Sequence, residues 1–105
     1  MSKISVVVDR PIGYQNEFGT VYPINYGYVE GLIAGDGEEQ DVYILGVAEP
    51  IASFEGRLIA VIHRKDDVED KWVAAPAGCS FSKKQIEDAV HFIEQYFDSS
   101  IEVLN

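Results

Sequence analysis

The segment Asp36-Gly37-Glu38-Glu39-Gln40-Asp41 carries four carboxylic acids in six residues. Glycines flank Asp36 on both sides, and an apolar run typical of a buried strand begins at Val42. Carboxylates this close to one another repel unless a cation lies among them, and Mg²⁺ prefers oxygen ligands. The segment therefore predicts a divalent-metal site, with Asp36 and Asp41 at the two ends of an acidic turn.

A second acidic turn lies further along the chain, at the tip of a hairpin expected between two apolar strands. Its candidate metal ligands are Asp66, Asp67, Glu69 and Asp70. The alternative for both turns is a pair of solvated acidic loops, which is what most charge runs are. The metal interpretation requires that the fold bring the two turns together.

Two cations and three phenols are candidates for holding an anion near these turns. Arg10 stands where the first strand ends at a proline, and Lys71 follows the second acidic turn. Tyr26, Tyr28 and Tyr96 could donate phenolic hydrogen bonds. The alternatives are surface ion pairs for the cations and half-buried packing for the tyrosines.

The overall charge restricts the partners of the chain. Its 105 residues carry a formal net charge of −10, so nucleic acid and anionic membrane surfaces are not expected partners. An anionic substrate needs metal ions or a few placed cations to reverse the local field. The single cysteine, Cys79, fits a reducing compartment, and no stretch reaches transmembrane length. A cytoplasmic protein is the expectation.

The pattern along the chain predicts a run of strands followed by one helix. Apolar runs indicate strands over 4–8, 21–29, 40–47, 57–63 and 71–75. Ser82, with Gln85 three residues later, forms a capping-box pattern ahead of an apolar stripe, which predicts a helix over 82–97. These elements predict a single domain over 1–105, of the α+β class, in which a small β-barrel packs against a C-terminal helix.

Two motif blocks resemble the soluble family I inorganic pyrophosphatases. Residues 22–28 read Tyr-Pro-Ile-Asn-Tyr-Gly-Tyr, and 35–42 read Gly-Asp-Gly-Glu-Glu-Gln-Asp-Val. The family has Tyr-Pro-x-Asn-Tyr-Gly-Tyr, followed by Asp-Gly-Asp-Pro-x-Asp and a hydrophobic residue. Further matches are Val-Asp-Arg at 8–10, Lys-Trp-Val-Ala-Ala-Pro at 71–76 and His-Phe-Ile-Glu-Gln-Tyr at 91–96. The resemblance implies a five-stranded OB-like barrel.

The resemblance also implies a reaction, which is Mg²⁺-dependent hydrolysis of inorganic pyrophosphate to two phosphates by a metal-activated water. Several Mg²⁺ ions are expected, with Mn²⁺ as a substitute, and homo-oligomers are common among bacterial relatives. The implied metal ligands are Asp36 and Asp41, together with acids of the second turn: Asp66 or Asp67, and Glu69 or Asp70. The implied phosphate ligands are Arg10, Lys71 and Tyr96. Tyr26 is expected near the nucleophile, and Glu38 stands at the position of the proposed proton acceptor.

Several departures from the family pattern leave alternatives open. Glu38 replaces an aspartate, Glu39 replaces a proline, and Phe97 stands where a second phosphate-binding lysine usually follows the tyrosine. The match is to a short, N-terminally truncated form, without the segment that supplies an acid and another lysine. The alternatives are a catalytically weakened module that binds metal and a phosphorylated ligand, and a hydrolase of another small phosphoanhydride.

Overall fold

The computed structural model describes residues 3–65 and 69–104, which form six strands and one helix. In chain order these are β1 (Lys3–Arg10), β2 (Asn25–Ile33), β3 (Glu39–Ile44), β4 (Ser53–Arg64), β5 (Asp70–Ala75), α1 (Lys83–Glu94) and β6 (Ser99–Val103).

Five of the strands close into a barrel. The sheet order is β1-β2-β3-β5-β4-β6, and an additional antiparallel pairing of β1 with β4 joins the two ends of the five-stranded set. All pairings in this set are antiparallel except that of β3 with β5, which is parallel. The predicted α+β class and five-stranded barrel with a packed helix are confirmed.

The element bounds differ from the predicted ones in specific places. Residues 21–24 lie outside β2, and the strand instead runs on to Ile33 through a register shift after Val29. The strand β4 begins at Ser53, earlier than the predicted 57, because its first half pairs with β1. The strand β6 was not predicted; it pairs with the second half of β4, outside the closed barrel.

The Tyr-Pro-Ile-Asn-Tyr-Gly-Tyr block holds neighbouring segments together. The buried amide of Asn25 accepts a hydrogen bond from the Ile12 N–H at 2.9 Å and donates one to the Glu49 carbonyl at 2.9 Å. At Gly27 an added Cβ would stand 1.9 Å from the carbonyl oxygen of Val7, so only glycine allows β1 to approach β2 here. These contacts fix the tyrosines of the block relative to the end of β1.

Buried aromatic rings form the core under the helix. Tyr22, Tyr26 and Tyr43 are buried, and the Tyr22 and Tyr43 rings both meet Phe92 of α1 edge to face, at centroid distances of 4.9 and 6.0 Å. Valine and isoleucine side chains on the opposite faces of the strands form a second cluster, which contains Val6, Val8, Val42, Ile44 and Ala74.

The helix α1 begins as predicted and ends earlier than predicted. The Ser82 hydroxyl accepts from the Gln85 N–H at 3.1 Å, and the Gln85 side chain accepts from the Ser82 N–H at 2.8 Å, which confirms the capping box. The helix stops at Glu94. The N–H groups of Tyr96 and Phe97 then close short turns by bonding to the carbonyls of Ile93 and Glu94. Within residues 3–65 and 69–104, none of the helices has the length and apolarity needed to span a membrane.

Candidate active site

The parallel pairing of β3 and β5 brings the first acidic turn, and Glu69 and Asp70 of the second, to one end of the barrel. Val42 is opposite Trp72 and Tyr43 is opposite Val73, so Asp41 lies beside Lys71 at the start of both strands. Side chains alternate along a strand, and Asp41 therefore shares a face with Tyr43, as Lys71 does with Val73. Both side chains point toward the core under the helix, which contains the buried tyrosines.

Lys71 is buried and paired with two carboxylates. Its ammonium donates to Asp41 and, at 2.7 Å, to Oε1 of Glu69. The other oxygen of Glu69, Oε2, is buried without a hydrogen-bond partner among the residues that the structure describes. A buried carboxylate oxygen left without a partner carries a desolvation cost that a bound cation would remove.

The Asp36 carboxyl group reaches Glu69 from the first turn. The N–H of Glu38 donates to Asp36 at 3.0 Å and lowers the pKa of Asp36, and the contact with Glu69 lowers it further. Burial raises the pKa of Glu69. The hydrogen bond from Lys71 lowers this pKa, and the neighbouring Asp36 carboxyl raises it further. The opposite directions of the two pKa shifts reflect the interaction between these neighbouring carboxyl groups.

Tyr26 lies beside the same acids and carries a phenolic proton. Burial, and then the charge of Asp41, raise the pKa of Tyr26 well above its ordinary value. Its hydroxyl therefore keeps its proton at neutral pH and can donate to the Asp41 carboxylate. The Lys71 ammonium stands 6.0 Å from the centre of the Tyr26 ring, so acid, ammonium and phenol form one cluster.

Arg10 is held next to this cluster by three tyrosines. Its Nη1 donates to the hydroxyl of Tyr22 at 2.8 Å. The guanidinium carbon also lies 5.5 to 5.8 Å from the ring centres of Tyr14, Tyr22 and Tyr26. These contacts fix the position of a permanent positive charge at the end of β1.

Some predicted metal ligands lie elsewhere. Asp70 precedes Lys71 on β5 and therefore faces the other side of the strand, where its carboxylate pairs with Nδ1 of His63 at 3.1 Å. Asp66 and Asp67 fall outside the described residues. The Glu38 carboxylate is exposed, and the Glu38 contact with the acidic turn is through its backbone N–H. The structure thus brings together Asp36, Asp41 and Glu69 and places Asp70 apart.

A cleft of about 540 Å³ opens beside the acidic cluster. Arg10, Tyr26 and Lys71 line its floor, and Tyr96 stands at its edge with 70% of its surface exposed. The predicted phosphate ligands Arg10, Lys71 and Tyr96 therefore share one cleft. A larger open groove of about 820 Å³ runs along the first half of β1 and contains none of the predicted site residues.

A buried ion pair behind the cleft was missed by the sequence analysis. Arg64, at the end of β4, donates through Nε to Oε1 of Glu94 at 3.1 Å, and Tyr43 donates to Oε2 of Glu94 at 2.6 Å. The guanidinium also lies 3.7 Å from the centre of the Phe97 ring. The signal in the sequence was Glu94 itself, a charged residue four positions after Val90 on the apolar stripe of the helix.

The fold is shared with solved structures of inorganic pyrophosphatases. The structure from Ehrlichia chaffeensis aligns with a TM-score of 0.75 and 18% identity, covering 97% of this chain and 86% of that one. The structure from Neisseria gonorrhoeae aligns with a TM-score of 0.66 and 23% identity, covering 90% of this chain and 73% of that one. At these identities the likeness defines the class of fold, a small barrel with a packed helix.

Sequence comparison identifies the family. The chain is 32% identical over 126 residues to the inorganic pyrophosphatase of Sulfolobus acidocaldarius, covering 89% of this chain and 73% of that protein. It is also 30% identical over 111 residues to the inorganic pyrophosphatase of Helicobacter pylori (strain 26695), covering 90% of this chain and only 61% of that protein. No protein-family model matches the chain. The chain belongs to the inorganic pyrophosphatase family.

Proposed function

We propose that the chain hydrolyses inorganic pyrophosphate to two phosphates with the help of bound Mg²⁺. The observation that carries this proposal is the cluster of Asp36, Asp41 and Glu69 around Lys71, beside the cleft that Arg10 lines. Carboxylates suited to a hard cation thus adjoin positive charge suited to phosphate.

The residues present fit a divalent cation. Among the described residues no three His, Cys, Asp or Glu side chains are arranged to enclose a metal ion by themselves. Mg²⁺ does not need such an enclosure, because it commonly takes one or two carboxylates and completes its shell with water and substrate phosphate. Asp36 and Glu69, with its unpartnered Oε2, supply two carboxylates, and Asp41 is adjacent. Mn²⁺ would suit the same oxygen ligands.

Bound Mg²⁺ would polarise the phosphate oxygens and lower the pKa of a coordinated water. The side chains of the chain have separate tasks in this reaction. Arg10 and Lys71 attract and orient the anion, and Tyr96 donates a hydrogen bond from the edge of the cleft. Tyr26, which keeps its proton, positions Asp41. Glu38 accepts the proton that water loses as its oxygen joins phosphorus and the bridging P–O bond breaks.

A weakened binding module is the second candidate, and Phe97 is the observation that favours it. This ring occupies the edge of the cleft where a lysine would add charge to the phosphate site. Such a module would bind metal and a phosphorylated ligand without turnover. The two candidates differ in one measurable quantity, the phosphate released from pyrophosphate.

A neighbouring pair of acids provides the matched test. We expect Glu69→Gln to lower kcat/KM for pyrophosphate by about 100-fold or more, since a displaced or lost ligand in an active site costs on this order. Asp70→Asn makes the same kind of change one residue away, on the opposite face of β5, and we expect it to retain most of the activity. Phosphate release is measured with Mg²⁺ and with Mn²⁺, with Asp41→Asn as the inactive reference.

The outcomes separate the alternatives. Equal losses in Glu69→Gln and Asp70→Asn would contradict this ligand set. Wild-type release no greater than that of Asp41→Asn, with pyrophosphate still raising the thermal stability, would favour the binding module.

We further propose that the protein acts in the cytoplasm and forms homo-oligomers, without nucleic-acid or membrane partners, as its charge and family suggest.

A further inference from the structure

The cleft beside the acidic cluster has an aromatic rim that pyrophosphate does not explain. Phe18 stands at this rim with 84% of its surface exposed, and Tyr96 and Phe97 are 70% and 36% exposed. Pyrophosphate has no apolar atom, so apart from the hydrogen bond proposed from the Tyr96 hydroxyl it gains nothing from these rings. The volume of about 540 Å³ lies within the range of roughly 300–1,000 Å³ typical of sites for drug-sized molecules.

The loop that carries Phe18 is ordered by its own hydrogen bonds. The side-chain oxygen of Asn16 accepts from the N–H groups of Phe18 at 3.0 Å and Thr20 at 2.9 Å. The backbone of Asn16 also bonds to Thr20 and Gly19, each at 3.0 Å. A hydrogen-bonded turn therefore carries the exposed ring. Because this turn is already ordered, little conformational entropy is lost when a ligand contacts the ring.

Phe97 is also held in place. The Arg64 guanidinium lies 3.7 Å from the centre of its ring, and Arg64 is itself bound to Glu94 of the helix. The contact covers one face of the ring while the residue stays 36% exposed. A planar group entering the cleft could therefore stack on a ring whose position is already fixed.

We propose that this cleft binds nucleoside diphosphates, with the phosphates at Arg10 and Lys71 and the base stacked on the aromatic rim of Phe18, Tyr96 and Phe97. The proposal rests on the proposed function, because both use the same phosphate-binding cations. Aromatic side chains stack on any base through its π-face, so a preference for one base is not expected. The cations Arg10 and Lys71 and the aromatic rim match the two ends of such a ligand.

The test compares two ligands that differ in the ring. ADP and methyl diphosphate carry the same terminal diphosphate, and only ADP carries a base. Binding of each is measured by isothermal titration calorimetry with Mg²⁺ present. Stacking on one aromatic side chain changes affinity by about 5- to 100-fold, so we expect ADP to bind more tightly than methyl diphosphate by at least that lower factor.

Phe18→Ala is the informative variant, because a side chain that is 84% exposed contributes little to folding. We expect it to remove most of the difference in Kd between ADP and methyl diphosphate. Ile33→Ala, a change at a 60% exposed apolar residue away from the cleft, should leave that difference intact.

Equal Kd values for the two ligands, or a difference that survives Phe18→Ala, would overturn the proposal. A Phe18-dependent dimer seen by light scattering, without any ADP preference, would also overturn it and assign the rim to a second copy of the chain. If pyrophosphate is not hydrolysed while the ADP preference depends on Phe18, the proposed function fails and this inference holds.

Discussion

Replacing Lys71 by methionine tests how the buried cation and the acidic cluster depend on each other. Lys71 is 5% exposed, and its ammonium is the hydrogen-bonded partner of both Asp41 and Glu69. Removing one partner of a buried ion pair costs about 3–5 kcal/mol, because the remaining charge is left unpaired. A chain of this size has a free energy of unfolding of roughly 5–15 kcal/mol, so the loss in Lys71→Met is a large fraction of it.

The same variant makes the cluster more dependent on a divalent cation. Without the ammonium, Mg²⁺ no longer competes with Lys71 for Asp41 and Glu69. A ligand at a hundred times its Kd stabilises the folded state by about 2.7 kcal/mol. We therefore expect Mg²⁺ to raise the free energy of unfolding more in Lys71→Met than in the wild type.

Urea unfolding with and without Mg²⁺, near neutral pH, measures both effects. Lys84→Met is the matched control, since it removes an exposed lysine paired with Asp88 on the helix. That change should alter stability by no more than about 0.5 kcal/mol and leave the response to Mg²⁺ unchanged. The reasoning is refuted if Lys71→Met is as stable as Lys84→Met, or if its gain from Mg²⁺ does not exceed that of the wild type.

Two further predictions concern ion pairs outside the cluster. Arg64→Met should destabilise the fold by about 3–5 kcal/mol in urea unfolding. Adding Glu94→Leu should restore part of that loss, because an apolar pair replaces the buried charges while the Tyr43 hydroxyl loses its acceptor. No recovery in the double variant would contradict this. At His63 the hydrogen bond that the ring donates to Glu102, opposed by slight burial and aided by Asp70, raises the pKa of the imidazole above 6.5. The stabilisation that protonated His63 gives the folded state is therefore fully present below pH 6.5 and is lost as the pH rises through the raised pKa. His63→Gln should accordingly cost up to about 1 kcal/mol at low pH and less at high pH, since the pair is exposed. A cost that does not depend on pH would count against the pairing.

The barrel and the helix could be predicted from the sequence because their signals are local. Apolar runs indicated the strands, and Ser82 with Gln85 indicated the helix start. The strand β6 gave no such signal, because Ser99–Val103 is short and owes its strand conformation to pairing with β4. The early end of the helix follows from the short turns that Tyr96 and Phe97 close to Ile93 and Glu94, where the sequence has neither a glycine nor a proline.

The site was predictable in its residue types and not in its geometry. Asp36, Asp41 and Lys71 stand out as charges at the ends of apolar runs, and the structure brings them together. Whether Glu69 or Asp70 joins them depends on which face of β5 each side chain takes. That choice is fixed by the parallel register of β5 against β3, which pairs Val42 with Trp72. A single sequence carries no direct signal of that register.

The catalytic role of the acidic cluster is tested by the release of phosphate from inorganic pyrophosphate by the wild-type chain, with and without Mg²⁺. We expect two phosphates for each pyrophosphate consumed, activity with Mg²⁺ that a chelator abolishes, and a rate far above that of Asp41→Asn. Release that is independent of the metal, or equal in Asp41→Asn, would contradict the assignment of the acidic cluster as the catalytic site.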